Sequence, residues 1–183
     1  VQPFAVRPIS EQNSAIALLG FASDCGVARN HGRVGASAGP NAIRRMLANL
    51  PLHHTEQKIF DAGTIECVDD QLELAQQKYA QIVANILEQK LFPIGLGGGH
   101  EIAFASFLGL AQSINIANPT IGIINIDAHF DLRSAKQATS GTPFLQIAEF
   151  CAQKKWPFNY CCLGINPFSN TQALFIKAKE LGI

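Results

Sequence analysis

Between Ile123 and Leu132 the chain reads IINIDAHFDL, an apolar run that sets Asp127, His129 and Asp131 at alternate positions. Alternate residues of an extended chain share a face, so these three side chains point one way if the strand continues through them, with Ala128 and Phe130 pointing away. Two carboxylates and an imidazole gathered without a cation place like charges together and raise the carboxylate pKa values. A divalent metal reverses that cost, which makes a metal site the simplest reading. Oxygen-rich ligands with one or two imidazoles suit Mn²⁺ or a similar hard ion better than the thiolate sets of structural zinc. The plainer alternative is a strand-end cap at Asp127 and an ordinary ion pair between Asp131 and Arg133.

A second stretch, PIGLGGGHE from Pro93 to Glu101, invites a phosphate-cradle reading that its details exclude. No Lys-Ser/Thr follows for a P-loop, and a G-x-G-x-x-G pattern started at Gly95 finds His100 in its final slot. The stretch from Ile102 to Ile126 also lacks any Asp or Glu to take a ribose hydroxyl. The glycines fit instead a close approach of backbone around His100, which sets this imidazole at the start of a helix and adds it to the ligand candidates. Taken alone, a histidine at a helix start is equally a capping or solvated residue.

Both segments need a scaffold that delivers them to one place. Ala15 to Phe21 reads as a short apolar strand, and GPNAIRRMLANL from Gly39 opens a helix with proline at its first position. An extended stretch near Lys58 to Phe60 follows. Then Leu72, Ala75, Tyr79, Ile82, Val83 and Ile86 recur at spacings of three and four, the mark of an amphipathic helix. Further along, strands at 91–96, 120–126 and 160–164 alternate with helices at 100–112, 143–151 and 171–181. Alternation with near-continuous apolar strands predicts an α/β fold with a parallel sheet covered by helices, and ligands of such sheets lie beyond the carboxyl ends of the strands.

The 183 residues, 48 % hydrophobic, suffice for one core and a single domain over 1–183. Fourteen basic and 14 acidic side chains cancel, and no run of Lys or Arg exceeds a pair, so nucleic acid and charged membranes are excluded as partners and a small molecule is expected. The apolar runs are too short to span a bilayer, and Val1-Gln2-Pro3 does not open a signal peptide, so a soluble cytoplasmic protein is expected. Five scattered cysteines without C-x-x-C spacing point to reduced thiols, mostly in the core. His31, His53 and His54 fall in polar connections and take no role.

Together, GLGGGHE at 95–101 and NIDAHFDLR at 125–133 resemble the ureohydrolases, manganese enzymes that include arginase, agmatinase and formimidoylglutamase. DCGVARNHGRVGASAGPNAIR at 24–44, SGTPF at 140–144 and LGINPFSNTQALFIKAKELG at 163–182 support the likeness and favour the formimidoylglutamase branch. The resemblance implies a three-layer α/β/α sandwich with a mainly parallel sheet. It implies two Mn²⁺ ions, one on His100, Asp127 and Asp131 and the other on Asp127 and His129, with Asp127 bridging. Such a pair acidifies a shared water for attack on an amidine carbon. The implied reaction converts N-formimino-L-glutamate to L-glutamate and formamide, a step of histidine degradation. Asp131 and His129 carry the catalytic roles, Asp131 passing a proton to the departing nitrogen.

Arg133 and the loop of Ser140, Gly141 and Thr142 are the expected substrate readers. A guanidinium fork suits a carboxylate, and formimino-glutamate carries two whereas agmatine carries none. Arginine has a carboxylate as well, but arginases are expected to hold a histidine where Ser140 stands. Agmatinase or arginase activity, or a non-catalytic domain with a partial metal site, are the alternatives. Residues 39–44 resemble the family's early helix and read as scaffold.

Ureohydrolases also carry a later S-x-D-x-D-x-x-D-P segment with two more metal-binding aspartates, whereas Glu149 and Glu180 are the only acids here after Asp131. The chain is therefore expected to be an N-terminal portion of such an enzyme, its sandwich incomplete on the C-terminal side and one sheet edge left open. A homo-oligomer is compatible with the sequence. Two ions wanting about five or six donors each are under-supplied by His100, Asp127, His129 and Asp131. Isothermal titration of the isolated chain with Mn²⁺ should give weak binding, and a formamide-release assay no turnover. Two tight sites with turnover would mean that ligands come from elsewhere, such as a partner subunit.

Overall fold

The computed structural model describes residues 15–53, 56 and 58–183. The chain start and His54, on which expectations of no leader and no role rest, lie outside the described residues. Strand β1 (Ile16–Ala22) is the middle of a three-stranded parallel sheet, between β2 (Ile59–Glu66) and β3 (Phe92–Gly97). Its sequence IALLGFA is apolar throughout because both faces are covered. Ala17, Leu19 and Phe21 enter a core with Leu72, Ala75, Tyr79 and Val83 of helix α3 (Leu72–Glu88). On the other face Gly20 leaves room for Pro40 and Arg44 of α2 (Gly39–Leu47), so this part of the molecule is layered α/β/α. Arg44 donates to Asp61 at 2.8 Å and to Thr64, a scaffold role in keeping with the reading of residues 39–44.

A second parallel pair, β4 (Gly122–Ile126) with β5 (Asn159–Leu163), packs against α5 (Pro143–Lys154) and α6 (Gln172–Glu180). Helix α4 (Ile102–Ser113) joins the two halves: Ala105 lies in the core of the first, Phe107 and Ala111 in that of the second. Among the described residues β3 and β4 each have a single ladder partner, and Phe92, Ile124 and Ile126 on these strands stay exposed.

Most elements fall where the apolar pattern puts them, with three differences. β2 extends to Glu66, well past Phe60, as an outer strand whose polar residues face water. A five-residue helix, α1 (Cys25–Arg29), was not anticipated; it is too short to show helical periodicity. Helix α4 starts at Ile102, leaving His100 in the turn before it. No helix of the described residues is long and apolar enough to cross a membrane. The five cysteines are free thiols.

Helices α3 and α4 pack closely at Gly109, where an added Cβ would sit 2.5 Å from Val83 Cβ and 2.7 Å from the Ala80 carbonyl oxygen. Gly109→Val should destabilise the fold by about 1–3 kcal/mol through overpacking, more than the few tenths of a kcal/mol gained in helix propensity. Urea unfolding measures this, and an unchanged midpoint would show that the helices can separate freely.

Candidate metal centre

The β3–α4 turn is tied to the end of β1. Gly98 N–H donates to the Phe21 carbonyl at 2.9 Å and Gly99 N–H to the Ser23 carbonyl at 2.8 Å. A Cβ on Gly98 would lie 2.2 Å from the Ser23 carbonyl oxygen, so only glycine fits, and the close backbone approach expected around His100 is what forms. Beneath the turn Glu101 is fully buried, with Oε1 accepting from Gly26 N–H at 2.9 Å and Ser23 Oγ at 3.0 Å. Its Oε2 has no hydrogen-bond partner among the described residues, and burial raises its pKa despite the donors from Gly26 and Ser23. His100 is thereby held at the carboxyl end of β3, its ring edge-on to Phe144 at 5.6 Å.

The second ligand segment leaves β4 at Ile126 and is not extended. Asp131 has φ +48°, a left-handed conformation that aspartate tolerates better than most side chains. The expectation that 127, 129 and 131 line one face of a continuing strand is thus corrected: a bent loop collects them. That loop is held by the connection after β5. Asp127 N–H donates to the Leu163 carbonyl, Asn166 N–H and Asn170 Nδ2 to the Ala128 carbonyl, and Phe130 N–H to Asn170 Oδ1. Tyr160 Oη donates to the Phe130 carbonyl at 3.1 Å, and Asn125 Nδ2 donates to Tyr160 Oη.

These two turns bring His100 Nδ1 to 2.7 Å from Asp131 Oδ2 and 3.2 Å from Asp127 Oδ2. One ligand atom from each of His100, Asp127 and Asp131 lies within 4.8 Å of the others. His129 falls outside that trio, with its Nδ1 at 3.2 Å from the other oxygen of Asp127, Oδ1, and its side chain 46 % exposed. Burial works to lower the His100 pKa, but the hydrogen bond to Asp131 and the charges of Asp131 and Asp127 outweigh it and hold it above the ordinary imidazole value. Two carboxylates facing one imidazole nitrogen are stable only with positive charge among them, either a ring proton or a divalent cation, and the donor set of two oxygens and a nitrogen fits a hard ion such as Mn²⁺.

Arg133 follows two residues after Asp131, its N–H bonded to the Gly141 carbonyl at 3.0 Å. Among the described residues its guanidinium meets no carboxylate, so the alternative of an Asp131–Arg133 ion pair does not form; Nη1 instead donates to Asn30 Oδ1. Ser140 Oγ accepts from Asn30 Nδ2. Thr142 is buried, its hydroxyl engaged with Thr139 and Gln146, and a Cβ on Gly141 would be 3.0 Å from Arg133 Cδ. Gly141 and Thr142 therefore shape the loop, and the side chains of Arg133 and Ser140 meet at Asn30. A polar pocket of about 200 Å³ opens beside Arg133, lined also by Lys136 and Gln146. A larger apolar hollow of about 710 Å³, between α2 and the first sheet, touches none of these residues. Asn30 and Glu101 are the site residues that sequence reasoning missed. Nothing local signals them, since their partners lie 75 to 110 positions away.

Residues 14–183 match the family described as the Arginase family. A formimidoylglutamase of Ralstonia nicotianae is 55 % identical over 177 residues, covering 95 % of this chain and 54 % of that protein. One from Vibrio vulnificus is 50 % identical over 194 residues, covering 100 % of this chain and 57 % of the relative. The chain thus spans a little over half the length of the curated relatives it matches. Trypanosoma cruzi formiminoglutamase, solved with Mn²⁺, superposes with a TM-score of 0.78 at 28 % identity over 94 % of this chain and 60 % of that one. Bacillus subtilis arginase gives 0.75 at 28 % identity, over 92 % and 61 %.

Because backbone surrounds Gly98, Gly98→Ala must displace the turn that carries His100. In the complete gene product this should weaken Mn²⁺ binding about 10- to 100-fold, the usual cost of disturbing the support of a ligand. Calorimetric titration, with circular dichroism to verify folding, is the check. Wild-type affinity in a folded variant would remove His100 from the ligand set.

Proposed function

The chain belongs to the arginase family, and from that premise we propose that its site hydrolyses N-formimino-L-glutamate to L-glutamate and formamide, as the names of its relatives suggest. The observation that carries the reading is the span of one short segment. Asp127 and Asp131 meet His100 at one end, and Arg133 offers a guanidinium at the other. A substrate bearing both an amidine and a carboxylate would have use for both groups.

Manganese is the metal this site is read to hold, on His100, Asp127 and Asp131, with His129 on the second oxygen of Asp127 supporting a two-ion arrangement. Bound there, it supplies Lewis acidity that makes water a nucleophile at neutral pH. The chain's own groups do the rest. Arg133 and Ser140 bind a substrate carboxylate, on a loop shaped by Gly141 and Thr142, and so orient the amidine. Addition of water to the formimino carbon and cleavage of its bond to the glutamate nitrogen need a proton on that nitrogen. Asp131, largely buried and hydrogen-bonded to His100, is the residue that delivers it, and His129 is the second catalytic residue. The five free cysteines support a reducing, cytoplasmic setting, and the substrate puts the reaction in histidine degradation.

In the complete gene product Arg133→Ala should raise KM for formimino-glutamate by about 10- to 100-fold, the worth of a charge-assisted hydrogen bond, at unchanged manganese content. A chelator should abolish formamide release and Mn²⁺ restore it. Equal activity of Arg133→Ala and wild type would end the carboxylate-reading role, and faster turnover of arginine or agmatine would overturn the substrate assignment.

A further inference from the structure

Nothing assigned so far explains Asn30, which sits between the two groups read as substrate contacts. It caps the C-terminus of α1, its Oδ1 accepting from Arg133 Nη1 at 3.2 Å and its Nδ2 donating to Ser140 Oγ at 3.2 Å. We propose that Asn30 is a positioning residue that makes Arg133 and Ser140 a donor subsite for a carboxylate of the substrate; this rests on the hydrolysis of formimino-glutamate proposed above.

The chemistry of the groups fixes the polarity of the chain. A guanidinium has five donors and no acceptor, so only the oxygen of the Asn30 amide can face it. The amide nitrogen must then face Ser140 and donate into its hydroxyl oxygen. A hydroxyl has one proton, and with its oxygen accepting from Asn30 that proton is free for a ligand. Arg133 consequently offers donors alone and Ser140 offers its proton, the match a carboxylate makes best, whereas a neutral amide would give up the charge-assisted bond to Arg133 and leave at most one lone pair of Ser140 for its own donors.

Asn30 is itself held firmly. Its N–H and that of Ser140 both donate to the Gly26 carbonyl, at 3.1 and 2.9 Å. The neighbouring Arg29 bonds Asp70, Glu73 and the Ala138 carbonyl, fixing α1 against α3 and against the loop that leads to Ser140. A side chain at position 141 would approach Asn30 Nδ2 to 3.3 Å, so the absence of one lets the loop close on the amide.

Asn30→Asp keeps the size and the acceptor toward Arg133 but cannot donate to Ser140, whose proton is then drawn inward. Formamide release by the manganese-loaded complete gene product is measured with three substrates: formimino-glutamate and each of its two mono-carboxamides. N30D should raise KM for formimino-glutamate about tenfold or more, with kcat within about threefold, and the penalty should vanish for the carboxamide lacking the carboxylate that this subsite reads. In an S140A background the N30D penalty should shrink but not vanish, because the hydroxyl it orients is gone while the new carboxylate still faces Arg133. An equal penalty on all three substrates, a fall in kcat alone, or full additivity with S140A would make Asn30 merely structural and overturn the proposal. Should N30D fail to fold, S140A alone decides: its KM must rise for formimino-glutamate and not for that same carboxamide. A wild type inactive on formimino-glutamate fails the functional reading itself, whereas an active wild type with an unaffected N30D fails only this inference.

Discussion

Two carboxylates pressed against one imidazole nitrogen are the constraint from which the arrangement of this molecule follows. Unit charges of like sign about 4 Å apart repel by roughly 4 kcal/mol at an effective dielectric near 20, and Asp131 is almost out of contact with water. Left to side-chain freedom, such a group would spread apart. It holds because each ligand sits on backbone that is itself immobilised: His100 on a turn bonded to β1, and Asp127 and Asp131 on a loop bonded to the connection after β5.

The parallel sheets supply the common direction. The strands that precede the ligands, β3 and β4, deliver their carboxyl ends to the same region, where polar loops can meet without burying unsatisfied backbone. Glycine at 98 admits the close approach, and Tyr160, Cys162 and Asn170 take up carbonyls that the bent 127–131 loop would otherwise leave bare. The buried Glu101 extends the same support: through Gly26 it ties the His100 turn to the backbone that also receives Ser140 and Asn30. The turn that carries His100 and the loop that carries Ser140 thus share one foundation.

How much of this the amino-acid sequence reveals depends on the range of the cause. The strands β1, β3 and β4 and the helix α3 are legible because burial imposes local patterns: unbroken apolar runs, or Leu72, Ala75, Tyr79 and Val83 on one helical stripe. The ligand candidates are legible because their chemistry is costly without a metal. The bend at Asp131 is not, since a left-handed aspartate looks like any other, and an alternating pattern reads as a strand whether or not the chain stays straight. Asn30 and Glu101 are hidden for a different reason. Each looks like an ordinary surface polar residue until the fold supplies partners from distant positions. β2 runs longer than expected because an outer strand needs little apolar content, and Asp61 and Glu66 can face water.

The segments that meet at His100, Asp127 and Asp131 leave different strands, β3 and β4, and this has a thermodynamic consequence. His100 follows β3 and Asp127 and Asp131 follow β4, so a cation held among them would tie together two turns that lie far apart in the chain. Occupancy and conformational integrity then become one linked equilibrium. By mass action, ion at a hundred times its dissociation constant adds about 2.7 kcal/mol to whichever arrangement keeps the ligands together. The free concentration of such an ion would therefore set how firmly these two turns are held together.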